Sequence, residues 1–174
     1  MVLADLICAA VMMMGIPNAD IACTNMDTLV KATEINEIDP VMLTALIYVE
    51  SRWNPSAVSR AGACGLTQVL PRFSAGHRER FGKKLTCSQL KDPKTSISRG
   101  SDILRWWLVH YAKDRYSTAL CGYNSGFRCK GPTRHKGHRY AKKVIRLARD
   151  IREKMEIVEA EELEKDEFIP GCYE

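Results

Sequence analysis

Apolar residues recur at helical spacing along most of the chain, and the pattern reads as helical nearly throughout. Leu6 to Ile16 is an apolar run of eleven residues, with Leu3, Leu6, Ile7, Ala10, Val11 and Met14 on one helical face. The run is too short to span a bilayer. No Lys or Arg precedes it, Asp5 sits at its start, and Pro17-Asn18-Ala19 is a weak cleavage site. A buried helix is therefore preferred to a secretory signal or transient anchor. Met26 to Ile35 continues the spacing, with Asn25 or Thr24 as cap.

Asp39-Pro40 is an N-cap followed by proline at the first helical position. The helix it opens, Val41 to about Ser51, is almost wholly apolar and belongs at the centre of a core. Trp53 to Gly65, rich in Ser, Pro, Gly and Ala, reads as a loop or short irregular strand region. Leu66 to Arg72 is expected to form a short helix ending near Pro71. Asp92-Pro93 repeats the start signal, ahead of Ile97, Ile103, Leu104, Trp107, Leu108 and Tyr111. A short helix over Tyr116 to Cys121, a Gly-rich loop over 122–131 and a long basic helix from about His138 complete the expected body. Beyond Asp150 the helical spacing weakens to Met155, Val158 and Leu163.

At 174 residues the chain fits one domain with a tail, and it is long enough to bury a core. Charge is segregated. Residues 1–149 carry 23 Lys and Arg against 11 Asp and Glu, and residues 150–174 carry 3 against 10. A basic body suits a polyanionic partner, whether nucleic acid, anionic lipid or bacterial wall. Seven cysteines without a CxxC pair, and four scattered histidines, suit an oxidising compartment rather than a metal site.

Glu50 stands out chemically, as an acid ending an apolar helix. Apolar surroundings and the negative end of the helix both raise a carboxyl pKa, and a Glu that keeps its proton near neutrality is a general acid. By itself the residue could equally cap the helix toward solvent, or pair with Arg52 or Arg60. Its neighbours narrow the choice. Glu50-Ser51-Arg52-Trp53-Asn54-Pro55, Ser59, Gly62-Ala63-Cys64-Gly65-Leu66-Thr67-Gln68 and Gly122-Tyr123-Asn124-Ser125-Gly126 follow one another in an order and spacing that resembles the soluble-type lytic transglycosylases. That family has a goose-lysozyme-like fold, and many members are carried by bacteriophages. The resemblance covers about residues 24–150. Thr67 stands where methionine is common in the family, and Cys64 and Cys121 where small residues are common.

The resemblance implies a mainly α, lysozyme-like α+β fold: a helical single domain with a small irregular or β region near an active-site cleft. It places the transglycosylase domain at 24–150, while the sequence pattern leaves an apolar helix, or weak signal or anchor, at 1–23 and an acidic helix or tail at 151–174. It makes Glu50 the catalytic acid, with Ser59, Gln68, Tyr123 and Asn124 as substrate-binding residues. Because the first two blocks and the third approach each other in the family, it suggests a disulfide Cys64–Cys121, with Cys87–Cys129 as the other candidate pair. Without it, Ser59 reads as a turn residue, Gln68 as a polar residue on an exposed turn, and 123–126 as a turn.

The expected reaction is cleavage of the MurNAc–GlcNAc β-1,4 bond in peptidoglycan to give 1,6-anhydro-MurNAc ends. Glycosidases usually pair two carboxylates, whereas no second acid lies between Glu50 and Glu79, and Asp92, Asp102 and Asp114 read as capping or solvent-facing positions. A lone acid suits a nucleophile within the substrate. No cofactor, metal, nucleic-acid partner or stable membrane span is expected. The expected partners are glycan strands and, if phage-borne, other virion or phage proteins contacting the N-terminal helix or acidic tail. The expected place of action is the bacterial periplasm and wall, reached as an endolysin, as a virion component or by secretion. The rival functions are a hydrolytic muramidase of the same fold, and a non-enzymatic module binding nucleic acid or wall polymer through the basic stretch 134–143, where Tyr140 is interleaved with cations.

Overall fold

A computed structural model describes residues 1–76, 80–130 and 134–167. His77, Glu79 and Cys172 fall outside the described residues. In chain order the main helices are α1 (Leu3–Met13), α2 (Ala19–Thr24), α3 (Met26–Asn36), α4 (Pro40–Ser51), α5 (Cys87–Leu90), α6 (Pro93–Trp107), α7 (Tyr116–Ser125) and α8 (Arg134–Glu167). Single 3-10 turns occupy Pro71–Phe73 and Gly126–Lys130, and a π-helical turn over Leu108–Ala112 extends α6. Among the described residues there are no strands, only two isolated antiparallel bridges, Val58 with Cys64 and Cys64 with Val69. The fold is thus the mainly helical one expected, with its irregular region following α4.

α4 is the central helix because its sequence leaves it no solvent face. Every residue from Val41 to Ile47 is buried. The Asp39 carboxylate accepts from the amides of Val41 and Met42 at 2.9 and 3.2 Å, satisfying donors that a helix start leaves free. The other Asp39 oxygen is ion-paired with Arg152 of α8. Asp92 caps α6 in the same manner, through Thr95. α8 packs along α1, α4 and α7, and α3 packs on α6. α1 belongs to this core, with Ile7, Ala10 and Val11 fully buried, although Leu3 at its first turn is exposed.

Four expectations are corrected. Leu66 to Arg72 is not a helix: Gln68 takes a left-handed φ of 51°, Val69 is bridged to Cys64, and Pro71 begins a 3-10 turn instead of ending a helix. The Gly-rich stretch is not a loop from 122, because α7 runs through it to Ser125. Gly122 serves close packing there, since a Cβ would lie 2.4 Å from Cε3 of Trp107. The long basic helix begins at Arg134, earlier than expected.

The fourth correction concerns the disulfides. They join Cys8 to Cys23, Cys64 to Cys87 and Cys121 to Cys129, not Cys64 to Cys121 or Cys87 to Cys129. Cys64 shares a small apolar cluster with Val69 and Leu90, against which Cys87 packs at the start of α5. Cys129 meets Cys121 because the turn after α7 folds back onto that helix; the two are eight residues apart.

Candidate active site

α4 ends just past Glu50 in an unusual turn. Arg52 and Trp53 both adopt left-handed backbone, φ 52° and 59°, a conformation costly for residues with a Cβ. The turn drives the Trp53 ring into the core, where it is wholly buried, and turns the chain away from the helix axis. Asn18 holds it by donating to the Arg52 carbonyl at 2.8 Å. Glu50 is left at the last turn, partly buried.

The Glu50 carboxyl is approached from α8. The Tyr140 hydroxyl donates to its Oε1 at 2.6 Å. Burial pushes the pKa of Glu50 from 4.5 up to about 7, and the Tyr140 hydrogen bond acts in the opposite, weaker sense. Burial also pushes the Tyr123 and Tyr140 hydroxyls well above the usual phenol value, helped by the nearby Glu50 charge. Both tyrosines are therefore neutral donors at any working pH. No other described carboxylate contributes to the Glu50 shift. Asp92 is a cap, Asp102 pairs with Arg99 and accepts from Asn36, and Asp114 is exposed.

The irregular region is tied to α7 and α6 through Thr67. The Tyr123 hydroxyl of α7 donates to the Thr67 carbonyl at 2.8 Å. Thr67 is buried, and its hydroxyl donates to the Ser96 carbonyl at 2.9 Å while its amide donates to the Ser96 hydroxyl at 3.1 Å. Its side chain fits because α6 has Gly100 opposite, where a Cβ would meet it at 2.4 Å. Threonine at position 67 thus supplies both this packing and the hydroxyl bond to Ser96.

The expected substrate residues divide. Glu50 and Tyr123 come together, with Tyr140 added. Gln68 is next to Thr67, but its amide donates to the carbonyls of Ala57 and Gly65 at 3.1 and 2.9 Å, holding the loop in shape. Ser59 is exposed, and its hydroxyl oxygen accepts from the Ala63 amide at 3.0 Å within a tight turn. Asn124 is exposed beside Tyr123, and its carbonyl accepts from the Ser125 hydroxyl at 3.2 Å. Tyr140 is the residue that sequence reading missed. A signal was present: Ala141, Val144 and Ala148 mark an inward face, and the neighbouring Tyr140 borders it among exposed cations.

Two other clusters lie elsewhere. Cys121, Cys129 and His138 gather within ligand distance of one another, but the two sulfurs are bonded together and offer no thiolate. A depression of about 330 Å³ on the outer face of α6 is lined by Asn36, Asp102, Trp106 and His110, among others, and includes neither Glu50 nor Tyr123, Tyr140 or Thr67. Its polar groups satisfy one another, Asn36 bonding Asp102 at 3.2 Å and Arg80 bonding His110 at 2.6 Å.

At the end of its central helix the domain thus presents one partly buried carboxyl, held by Tyr140 and raised toward neutrality by burial. Residues 27–145 match the family described as the transglycosylase SLT domain, and the chain belongs to that family. Among curated relatives, an endo-type membrane-bound lytic murein transglycosylase A of Klebsiella pneumoniae is 39% identical over 70 residues, covering 38% of this chain and 34% of that protein. A membrane-bound lytic murein transglycosylase F of Haemophilus influenzae is 34% identical over 95 residues, covering 52% of this chain and 18% of that protein. The matches thus span about a third or less of each relative's length. The 70 kDa soluble lytic transglycosylase SLT70 of Escherichia coli shares the fold, with a TM-score of 0.67 at 23% identity over 79% of this chain and 27% of that one. So does an inactive variant of the lytic transglycosylase Slt of Pseudomonas aeruginosa, with a TM-score of 0.66 at 20% identity over 87% of this chain and 30% of that one. Both curated relatives are named as membrane-bound, whereas no described helix here is long and apolar enough to cross a membrane.

Proposed function

We propose that the chain is a peptidoglycan lytic transglycosylase acting at the bacterial cell wall, with Glu50 as both acid and base. The observation that carries this reading is a single shielded carboxyl whose pKa stands at about 7 and whose Oε1 is occupied by the Tyr140 hydroxyl. With Oε1 accepting that bond, the proton of neutral Glu50 resides on Oε2. Tyr140 thus fixes which oxygen delivers it.

In the proposed reaction Glu50 Oε2–H protonates the glycosidic oxygen as its bond to C1 of MurNAc breaks, and GlcNAc leaves with a free 4-hydroxyl. The N-acetyl oxygen of the muramic acid stabilises the cation developing at C1. The Glu50 carboxylate, steadied by Tyr140, then takes the proton of the C6 hydroxyl while O6 bonds to C1. Glu50 ends protonated, as it began, and no water is consumed. The internal nucleophile has a high effective concentration, which removes the need for a second carboxylate. Tyr123, backed by the buried Thr67, would form one side of the binding site, with Ser59, Gln68 and Asn124 along its rim.

The test is mass spectrometry of fragments released from purified walls, beside a Glu50→Gln control. Anhydro-muramyl ends, absent with the control, are expected. Reducing ends, heavier by one water, would instead make the enzyme a hydrolase. Fragment release by Glu50→Gln would remove the role given to Glu50.

A further inference from the structure

α8 is one continuous helix of 34 residues, about 51 Å long at 1.5 Å per residue. Its charges are arranged against its own stability. From Lys136 to Arg149 the helix bears cations and no acid, and from Asp150 onward it is mainly acidic. A helix N-terminus carries partial positive charge and its C-terminus partial negative, so both halves have the unfavourable sign. Within the first half, Arg139 stands three and four residues before Lys142 and Lys143, which stand four and three before Arg146, a spacing at which like charges repel.

All four, with Lys136, are exposed. At 100° per residue they form a stripe opposite the buried Ala141, Val144, Ala148 and Ile151. Among the described residues no carboxylate lies within ion-pair distance of any of the five. The helix cations that do have partners begin at the sign change. Arg149 meets Asp150 at 3.0 Å and Glu153 at 3.4 Å, and Arg152 meets Asp39. A merely solvated face would mix signs and form such pairs throughout. Arg139 and Lys143 also lie within one turn of Tyr140, whose hydroxyl is on Glu50.

We propose that the stripe Lys136, Arg139, Lys142, Lys143 and Arg146 is a docking surface for the carboxylates of peptidoglycan stem peptides. The proposal rests on the transglycosylase reading for its partner. Muramic acid, the sugar on which Glu50 would act, carries those peptides on its lactyl group. A strand seated at Glu50 therefore hangs anionic peptides beside the α8 stripe. The stripe attracts wall polymer over a Debye length of about 10 Å at moderate salt and holds it along the helix.

The test measures binding without cleavage. Glu50→Gln protein is co-sedimented with purified insoluble walls, with and without Arg139→Gln, Lys142→Gln, Lys143→Gln and Arg146→Gln together. The neutralised chain should bind at least about tenfold more weakly at low salt, and the difference should shrink as salt rises. Walls whose carboxyls have been converted to amides should bind the charged chain no better than the neutralised one. Thermal unfolding of the neutralised chain should occur at the same or a higher temperature, because repulsion within α8 is relieved. Equal binding by the two chains, or undiminished binding to amidated walls, overturns the proposal. So does unchanged wall binding alongside DNA binding that disappears with the four cations. Failure of the transglycosylase reading shows separately, as a chain with Glu50 intact that binds walls through carboxylates yet releases no fragments.

Discussion

A carboxyl that keeps its proton to about pH 7 inside the fold, but loses it near pH 4.5 once unfolded, makes stability depend on pH in a defined direction. Between those values the native state binds the extra proton, so stability falls as pH rises through the interval and is fully present only below it. Glu50→Gln mimics the protonated acid. Its melting temperature should match the parent's near pH 4 and exceed it above about pH 7, which calorimetry across pH would show. Activity should follow the same ionisation, with kcat/KM declining above about pH 7 as the acid form is lost. Tyr140→Phe removes a hydrogen bond that favours the carboxylate. It should move that decline to higher pH while lowering kcat by about one to two orders of magnitude. A purely structural role for Tyr140 would leave the pH profile where it was. At this scale the sequence made Glu50 legible through its helix end and neighbouring motifs. Tyr140 was not, because its partner lies 90 positions away.

Among the elements, local signals were readable and packing signals were not. Asp39-Pro40 and Asp92-Pro93 declare α4 and α6 because a cap acts on amides two or three residues away. Gly122 and Thr67 owe their identities to Trp107 and to Ser96 and Gly100, which no short window contains. Thr67→Val keeps the shape but removes the hydroxyl that donates to the Ser96 carbonyl. It should cost about 1–3 kcal/mol in denaturant unfolding and loosen the wall that holds Tyr123. Asp39→Ala removes the α4 cap and the Arg152 ion pair together, for about 1–2 kcal/mol. Asp39→Asn, which keeps a capping oxygen, should recover most of that loss in the same measurement.

For the molecule as a whole, disulfide connectivity was the least legible property, since pairing depends on how separate elements dock. Cys64–Cys87 closes a separation of 23 residues within the irregular region, and Gln68 lies inside the closed loop. By the chain-entropy argument, replacing both cysteines with serine should cost about 3 kcal/mol, read as a lower unfolding midpoint under oxidising conditions. α8 is equally a property of the whole chain, because it touches the first helix, the central helix and α7 at once. That reach has a consequence during synthesis. A ribosome has made Glu50 and the helix around it long before it makes Tyr140, and the chain beyond must also emerge before Arg152 can clasp Asp39. Nascent chains that stop short of Tyr140 therefore hold Glu50 without the hydroxyl that bonds its carboxyl.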